Sequence, residues 1–369
     1  MSGCVFRVGG RVGVVCRFAA VLAAAVAGLC TAACAQGQTT NLAPTDRHVP
    51  ELARYLSHLQ LSEPVVYRGL AVYSLQLLDD NTLRGGWLTL DQATSRGVLK
   101  VTEKGSGASV PVVEAENTSR EEHIFLMAGE MLSGGKQTRA IRDDVVLAPG
   151  QRVTLSVFCV EQHRWQGGSA FGSAGQIVPQ SIGRELRRGV DQASIWSEVA
   201  RNNAALGADN DTGSLELALK SKGVADQLTE VRRGIEPEIP RGTVGYLFVC
   251  HGRAVGAELF GREDIARAML PKLLDSHAVD FVIQSGKIAP PHDGEHGAAV
   301  AFYNRMRRVG SHHAPTTGSG SGIRTRADGL LGDGVSLMET VVHYGIQVAE
   351  RVFPAPKPII RVPSRRDDS

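Results

Sequence analysis

The stretch GEMLSGGKQTR (residues 129–139) combines two adjacent glycines with a lysine, which raises the question of phosphate binding. A P-loop requires G-x-x-x-x-G-K-[ST] between a strand and a helix, so that backbone amides surround the phosphates. Here Gly135 stands where the motif requires lysine, and Gln137 follows Lys136 where a hydroxyl should hold magnesium. The next residues, AIRDDVVL, have the pattern of a strand rather than a helix. The sequence therefore excludes a P-loop NTPase.

A weaker mode of anion binding remains open for the same stretch. Gly134 and Gly135 can form a turn whose amides point outward, and Lys136 and Arg139 add positive charge beside it. Together with Gln137, these are the predicted ligand-binding residues of the stretch. The alternative is an ordinary β-turn in which the glycines supply the backbone geometry and the lysine is solvated.

A second stretch, CVEQHRW (residues 159–165), brings a carboxylate, a cation and an aromatic ring close together. Alternation along QRVTLSVFCVE puts Glu161 on the apolar face, where a carboxylate needs a partner or its pKa rises. Arg164 and Trp165 offer a cation and a stacking surface, and Glu130 follows another predicted strand, HIFLM. If the strand ends meet, these residues form one pocket with the glycine turn. The alternative is a buried Glu–Arg pair that only fixes a loop.

The rest of the chain predicts the elements that position these residues. Short apolar runs separated by turn signals predict antiparallel strands around a helical middle segment. VGYLFVC, HGR and AVGAELFG predict a β-hairpin. Glu258 in this hairpin is predicted to be a pocket wall or a partner of Arg139 or Arg164. The Gly- and Ser-rich segment 310–322 predicts a flexible surface loop. We expect one α+β domain, mainly antiparallel β-sheet, at residues 49–353, with a flexible tail at 354–369.

The N-terminus has the pattern of an exported protein. Three arginines precede an Ala-rich apolar run, and the letters ACA around Cys34 form an A-x-A cleavage site. We predict a signal peptide at residues 1–35, a linker at 36–48 and a periplasmic or secreted mature protein. The alternative is a lipoprotein held at the membrane through Cys34, although Thr31 stands where lipidation signals have a larger aliphatic residue.

Composition narrows the classes of partner. The chain has 40 basic and 38 acidic residues, and the predicted leader contributes arginines but no acid. The mature chain is therefore almost neutral, which excludes a basic footprint for nucleic acid. A small anionic ligand is the predicted partner, and the sequence does not determine the oligomeric state.

The sequence predicts no metal site and no cofactor. HDGEH (residues 292–296) matches the zinc pattern H-x-x-E-H, but the preceding prolines and the internal glycine disfavour the helix that the pattern requires. Of the six cysteines, only Cys159 and Cys250 lie beyond the leader. They form either a disulfide or, as we favour, two buried thiols in adjacent strands.

Several stretches together resemble one known family. GEMLSGGKQTR, CVEQHRW, VGAELFG and PKLLDSHAVD follow the order of the motifs in the ADP-ribosylglycohydrolase- and rhodanese/phosphatase-associated protein domain family, over residues 64–348. The resemblance implies a largely uncharacterised domain linked to NAD and ADP-ribose metabolism through neighbouring genes. That family is mostly considered intracellular, whereas this chain has a leader. The resemblance implies that the functional positions are Glu130, Gly134, Gly135, Lys136, Gln137, Arg139, Glu161, Arg164, Trp165 and Glu258.

Two functions follow from these observations. The first is an exported protein with a pocket for a small phosphorylated, nucleotide-like or ADP-ribose-like anion and, if it is an enzyme, with Glu161 and Glu130 as the acid and base of a hydrolase. The second is a noncatalytic envelope module that binds a protein or polysaccharide. A hydrolase should lose turnover in Glu161→Gln while keeping affinity, whereas a structural module should lose stability.

Overall fold

The computed structural model describes residues 47–79, 83–105, 111–280 and 295–351. These residues belong to one compact unit, Leu42–Ser369. The predicted leader and tail, Cys34 and most of the predicted linker lie outside the described residues. Within the described part, no helix is both long and apolar enough to cross a membrane.

The described elements alternate between groups of strands and groups of helices. In chain order they are α1 Pro50–Ser57, β1 Leu59–Tyr67, β2 Leu70–Leu77, β3 Gly86–Thr89, α2 Leu90–Ser95, β4 Leu99–Glu103, β5 Val112–Asn117, β6 Glu122–Leu126, β7 Glu130–Gly134, β8 Arg139–Ile141, β9 Val145–Leu147, β10 Arg152–Cys159, β11 Ala170–Ile177, α3 Gln180–Arg188, α4 Gln192–Ala205, α5 Leu215–Lys220, α6 Lys222–Ile235, a 3₁₀ turn Glu236–Glu238, β12 Thr243–Cys250, β13 Arg253–Phe260, α7 Glu263–Ala278, α8 Glu295–Arg308, β14 His312–Ala314, β15 Ser321–Ala327, β16 Leu330–Leu337 and β17 Thr340–Val348.

The larger sheet has eight antiparallel strands in the order β1-β2-β12-β13-β17-β16-β15-β14. Its central strands are buried on both faces. Along β12, Tyr246 and Phe248 belong to one core cluster with residues of α7, whereas Leu247 and Val249 belong to a second cluster with residues of α1 and α8. Because side chains alternate between the faces of a strand, two-sided burial explains the unbroken apolar run VGYLFVC.

Six further strands close into a barrel in the order β10-β5-β4-β11-β7-β8, and β8 pairs back to β10. Buried side chains such as Val113, Leu132 and Leu155 form its own apolar cluster. All neighbouring strands are antiparallel, so β4, β7 and β10 end where β5, β8 and β11 begin. We call this end, at Glu103, Gly134, Arg139, Cys159 and Ala170, the barrel mouth.

The predicted fold class, α+β with mainly antiparallel sheet and a helical middle, is confirmed. Strands β3, β6 and β9 form a small third sheet, in which β3 and β6 are parallel. The β12–β13 hairpin forms as expected, with His251 and Gly252 at positive φ in its turn. The helical middle consists of α3 to α6.

Two local predictions are wrong. AIRDDVVL is not one strand, because the chain leaves the barrel after Ile141 and re-forms as β9 beside β6. The segment 310–322 is not simply a loop, since it contains β14 and the start of β15. A Cβ on Gly322 would lie 2.7 Å from the carbonyl oxygen of Ala314. Glycine at this position therefore allows β14 and β15 to lie close together, and it does not indicate a flexible loop.

The two cysteines are both buried, but they do not lie in adjacent strands. Cys159 ends β10 in the barrel, and Cys250 ends β12 in the eight-stranded sheet. The expectation of neighbouring strands failed because a strand's own pattern does not identify its partner.

Candidate functional site

The structure brings the two motif stretches together at the barrel mouth. GGKQT connects β7 to β8, and VEQHRWQGGS connects β10 to β11 at the same end. The backbone N–H of Thr138 donates to Glu161 Oε2 at 2.9 Å, and the N–H of Val160 donates to the carbonyl oxygen of Thr138 at 3.1 Å. The two connections therefore form one hydrogen-bonded rim.

The glycine turn is built for close packing rather than for an exposed amide nest. Gly134 and Gly135 have φ of +106° and +53°. A Cβ on Gly135 would lie 2.1 Å from the Phe171 ring. The N–H of Gly135 donates to the Ala170 carbonyl oxygen at 2.9 Å, and the N–H of Lys136 donates to Glu103 Oε1 at 3.1 Å. The expectation that these amides point outward is wrong, because β11 and β4 provide acceptors for both.

The buried Glu161 and the half-buried Arg164 form an ion pair that holds the rim. Arg164 Nε and Nη2 donate to Glu161 Oε1 and Oε2 at 2.9 and 2.7 Å. Arg164 Nη1 donates to the carbonyl oxygens of Gly135 and Gln166 at 3.1 and 2.7 Å. Burial opposes the charge, but hydrogen bonds from Arg164 and Thr138 hold the pKa of Glu161 below its ordinary value. Glu161 is therefore an ionised carboxylate with its lone pairs engaged.

Arg139 is fully buried at the rim. Its Nη1 donates to Gln137 Oε1 at 2.8 Å and contacts the thiol of Cys159, and its Nη2 lies 3.8 Å from Glu103 Oε1. Neither Nε nor Nη2 of Arg139 has a hydrogen-bond acceptor within the described residues. Burial raises the pKa of Cys159 to about 11 despite the arginine, so this cysteine is a neutral thiol rather than a nucleophilic thiolate.

Lys136 and Trp165 form the solvent-facing part of the rim. The Trp165 side chain is 44% exposed, which is unusual for so large an apolar ring. Lys136 Nζ lies 5.2 Å from the centroid of that ring, and Arg139 Cζ lies 5.9 Å from it. In the described part of the chain, Lys136 Nζ has no hydrogen bond or ion pair with any acceptor. An accessible flat ring with a free ammonium over it can receive a ligand that has both an anion and a planar group.

Glu130 lies at the far end of β7 from the barrel mouth. Its five-residue strand puts it about 13 Å from Gly134 at 3.3 Å per residue. Glu130 is fully buried, accepts from the N–H of Met127 at 2.8 Å and pairs with Lys272. Burial raises the pKa of Glu130, and Lys272 offsets part of that effect. The expected pocket containing both carboxylates does not form, because Glu130 begins β7 whereas Glu161 packs where β7 ends.

Glu258 belongs to a third buried group, which we call the His343 network. His343 Nε2 lies 3.1 Å from Glu258 Oε2, and His343 Nδ1 lies 2.6 Å from Asp144 Oδ2. Arg187 Nη2 donates to Glu258 Oε1 at 3.1 Å. Gly345 makes room for this pair, since a Cβ there would lie 2.0 Å from Glu258 Oε2. Glu258 therefore does pair with an arginine, but that arginine is Arg187 rather than Arg139 or Arg164, so the predicted partner is wrong.

The sequence reasoning missed several residues that complete these groups. Glu103 is the last residue of β4. A carboxylate at the end of an apolar run is a sequence signal that could have identified Glu103 as a site residue. Lys272 is buried in α7, and His343 is buried in β17. The sequence pattern of β17 predicts a buried strand but gives no sign that His343 is part of an ionic group. No spacing rule links these two residues to Glu130 and Glu258, because the partners are far apart in the chain.

Metal ligands are not grouped in the part of the structure that is described. None of its His, Cys, Asp and Glu side chains forms a cluster of three or more that could hold a metal ion. Most of HDGEH lies outside the described residues, and His296 belongs to α8.

The fold defines an α+β protein in which a six-stranded barrel and an eight-stranded sheet occupy one compact unit. The chain matches the family described as the ARG and Rhodanese-Phosphatase-superfamily-associated Protein domain, ARPP-1, over residues 58–346. It belongs to that family, and the family suggested by the series of motifs is confirmed. The matched region runs from just before β1 into β17 and includes the barrel mouth. No curated protein and no solved structure matches the chain.

Proposed function

We propose that this protein binds a small anionic ligand, phosphorylated or nucleotide-like, at the barrel mouth. The observation that carries the proposal is the exposed Trp165 ring with the Lys136 ammonium 5.2 Å from its centroid, an ammonium that has no acceptor among the described residues. Nucleobases and other planar groups stack on aromatic rings, and phosphate pairs with lysine as a point charge. The family description names ARG proteins and rhodanese-phosphatases as associates, so ADP-ribose and nucleotides are the first probes.

In this proposal Glu161 and Arg164 position the rim rather than react. Arg164 donates to Glu161 and to the carbonyl oxygens of three residues, including a 3.5 Å contact with Gly134, so its five N–H donors are all engaged and none is left for an anion. The low pKa of Glu161 makes it a poor general acid at neutral pH. Glu130, the other candidate acid or base, is buried at the far end of β7. The geometry therefore favours binding over the acid/base hydrolysis expected from the sequence.

Lys136→Ala should weaken the binding of ADP-ribose and nucleotides roughly 10- to 100-fold, since a hydrogen bond to a charged group contributes about 1.5–3 kcal/mol. The melting temperature without ligand should stay nearly unchanged, because the lysine makes no contact that the fold needs. Calorimetric titration gives the affinity, and a ligand that binds only the native state must raise the melting temperature.

The control is Lys222→Ala, which removes the same charge from an exposed position in α6, where Lys222 pairs with Asp226 at 2.7 Å. Trp165→Leu should reduce affinity for nucleotides more than for sugar phosphates, because only the former can stack. Equal affinity in wild type and Lys136→Ala for every bound anion would reject the barrel mouth as the site.

A rigid noncatalytic surface is the second candidate, and the full engagement of Arg164 favours it. Glu161→Gln should destabilise the protein by about 1–3 kcal/mol, because one buried hydrogen bond to a charged group is lost. Denaturant unfolding measures the loss, and Glu116→Gln, which weakens the exposed Arg152–Glu116 pair, is the control. A Glu161→Gln protein with wild-type stability that lost turnover of a bound ligand would instead restore Glu161 as a catalytic group.

Export is part of the same proposal and rests on the leader pattern of residues 1–35. To test export, the full chain is expressed in a bacterial host that has signal peptidase. The cells are then fractionated, and the N-terminus of the protein is sequenced. A mature N-terminus after residue 35 supports export, and a lipid-modified Cys34 supports the anchored alternative.

A further inference from the structure

A second cationic surface lies well outside the barrel mouth. A cleft of about 200 Å³ lies between the β8–β9 connection, the C-terminal end of α3 and strands β15 and β16. Its charged lining consists of five arginines and three aspartates, namely Arg142, Arg187, Arg188, Arg324, Arg326, Asp143, Asp144 and Asp333. The cations therefore outnumber the anions, although the whole chain is close to neutral.

Three of these arginines are held by the protein. Arg326 donates to Asp333 Oδ2 at 2.8 Å and to the Gly332 carbonyl oxygen at 2.7 Å. Arg188 donates to Glu185 Oε1 at 3.2 Å, and Arg187 belongs to the His343 network. These arginines shape the wall of the cleft.

The other two arginines of the cleft lining have side-chain donors without an acceptor in the described part of the chain. Arg324, in β15, uses Nε for Asp333 at 3.1 Å, and within the described residues neither of its Nη atoms has an acceptor. Arg142, in the β8–β9 connection, forms a 3.8 Å ion pair with the exposed Asp143, and its Cζ lies 6.0 Å from the centroid of the Phe158 ring. Within the described residues, its side chain has no hydrogen-bond acceptor. Guanidinium groups with unused N–H donors match the oxygens of a phosphate group.

A buried unsatisfied donor provides a second indication. The Arg187 side chain is only 9% exposed, and its Nε has no hydrogen-bond acceptor among the described residues. Behind it, His343 is protonated, because Asp144 and Glu258 outweigh burial and raise its pKa to about 9. The protonated His343 therefore adds to the positive charge of the arginines that line the cleft.

We propose that this cleft binds one phosphate group, either inorganic phosphate or the phosphoryl end of a small monoester, between Arg142 and Arg324. Its volume of about 200 Å³ is below the 300–1,000 Å³ typical of drug-sized ligand sites, which favours a single phosphoryl group over a whole nucleotide. This site is separate from the proposed nucleotide-like site at the barrel mouth. It needs no residue of the GGKQT turn.

Titration calorimetry of the full mature chain with inorganic phosphate and with methyl phosphate tests the proposal. We expect saturable binding that weakens at least roughly tenfold in Arg142→Gln and in Arg324→Gln, because each removes a charge-assisted hydrogen bond. Binding of both probes indicates that the cleft accepts a phosphoryl end, whereas binding of inorganic phosphate alone restricts it to the free ion. Both arginines are substantially exposed, so melting temperatures should stay near that of wild type.

Two controls separate this site from net charge and from the barrel mouth. Arg152→Gln removes an arginine of similar exposure from the barrel wall and should leave phosphate affinity unchanged. Lys136→Ala should also leave it unchanged. The proposal is overturned if wild type shows no saturable phosphate binding, if Arg152→Gln loses as much affinity as the cleft variants, or if only Lys136→Ala abolishes binding. The barrel-mouth proposal can fail independently, because its probes and variant are different.

Discussion

Replacing His343 by leucine should lower the free energy of unfolding by about 3–5 kcal/mol, the cost of removing one partner from a buried ionic group. His343 is 1% exposed and lies between Asp144 Oδ2 at 2.6 Å and Glu258 Oε2 at 3.1 Å. Without the imidazolium, Glu258 keeps Arg187, whereas among the described residues the carboxylate of Asp144 keeps only the hydrogen bond from the N–H of Ala128. Urea unfolding at pH 7 measures the loss, and Asp144→Asn in the leucine background should recover part of it.

The same histidine should make the stability of the wild type depend on alkaline pH. Its two carboxylates outweigh burial and raise the pKa of His343 from 6.5 to about 9 in the folded protein. The stabilisation is therefore fully present below pH 6.5 and disappears as the pH rises through about 9, with a magnitude of about 3 kcal/mol. Unfolding curves between pH 6 and pH 10 should show this decline in wild type and lose it in His343→Leu.

A surface histidine is the matched control for this pH dependence. His58 lies 3.3 Å from Asp79, but both side chains are substantially exposed, so that pair contributes little. His58→Gln should keep the wild-type pH profile. A wild-type profile that is flat from pH 6.5 to pH 9, or a His343→Leu profile that declines like wild type, would mean that His343 is neutral in the folded protein.

The fold class was predictable because it depends on local pattern. Alternation and turn residues identified the hairpin of β12 and β13, and the helical middle was identified by its spacing. Barrel closure was not predictable, since it requires β8 to pair with both β7 and β10, and a three-residue strand has too little pattern to specify two partners. The run AIRDDVVL shows the same limit, because nothing local indicates that its two halves join different sheets.

The barrel mouth was predictable in part because its members lie in two short stretches. Glu161 and Arg164 are only three residues apart at the end of a strand, so their pairing could be predicted. The proximity of Lys136 to Trp165 follows once GEMLSGGKQTR and CVEQHRW lie side by side. The direction of the turn amides was not predictable, because Ala170 and Glu103, which accept from them, come from other strands. The arginines of the cleft were missed for a similar reason, since Arg142 and Arg324 are brought together only by the tertiary fold.

Lys272→Met should be the most costly change among the charged residues around the barrel, at about 3–5 kcal/mol. Lys272 is 5% exposed and pairs with Glu130, which is fully buried. It also lies 2.8 Å from Asp91, which is 40% exposed. The lysine is therefore the only cation paired with Glu130 within the described residues, whereas Asp91 can be solvated. Denaturant unfolding at pH 7 measures the loss.

Glu130→Gln should cost less than Lys272→Met, because it leaves the lysine paired with Asp91 and preserves an acceptor for the N–H of Met127. Combining the two changes should be less destabilising than Lys272→Met alone, since the uncompensated carboxylate is gone. The deficit of Lys272→Met should also shrink at pH 5: burial raises the pKa of Glu130 in the folded protein, so a proton can replace the lost cation there. If Glu130→Gln instead left stability unchanged and abolished turnover of a ligand bound at the barrel mouth, Glu130 would be catalytic, and this buried pair would need a functional explanation.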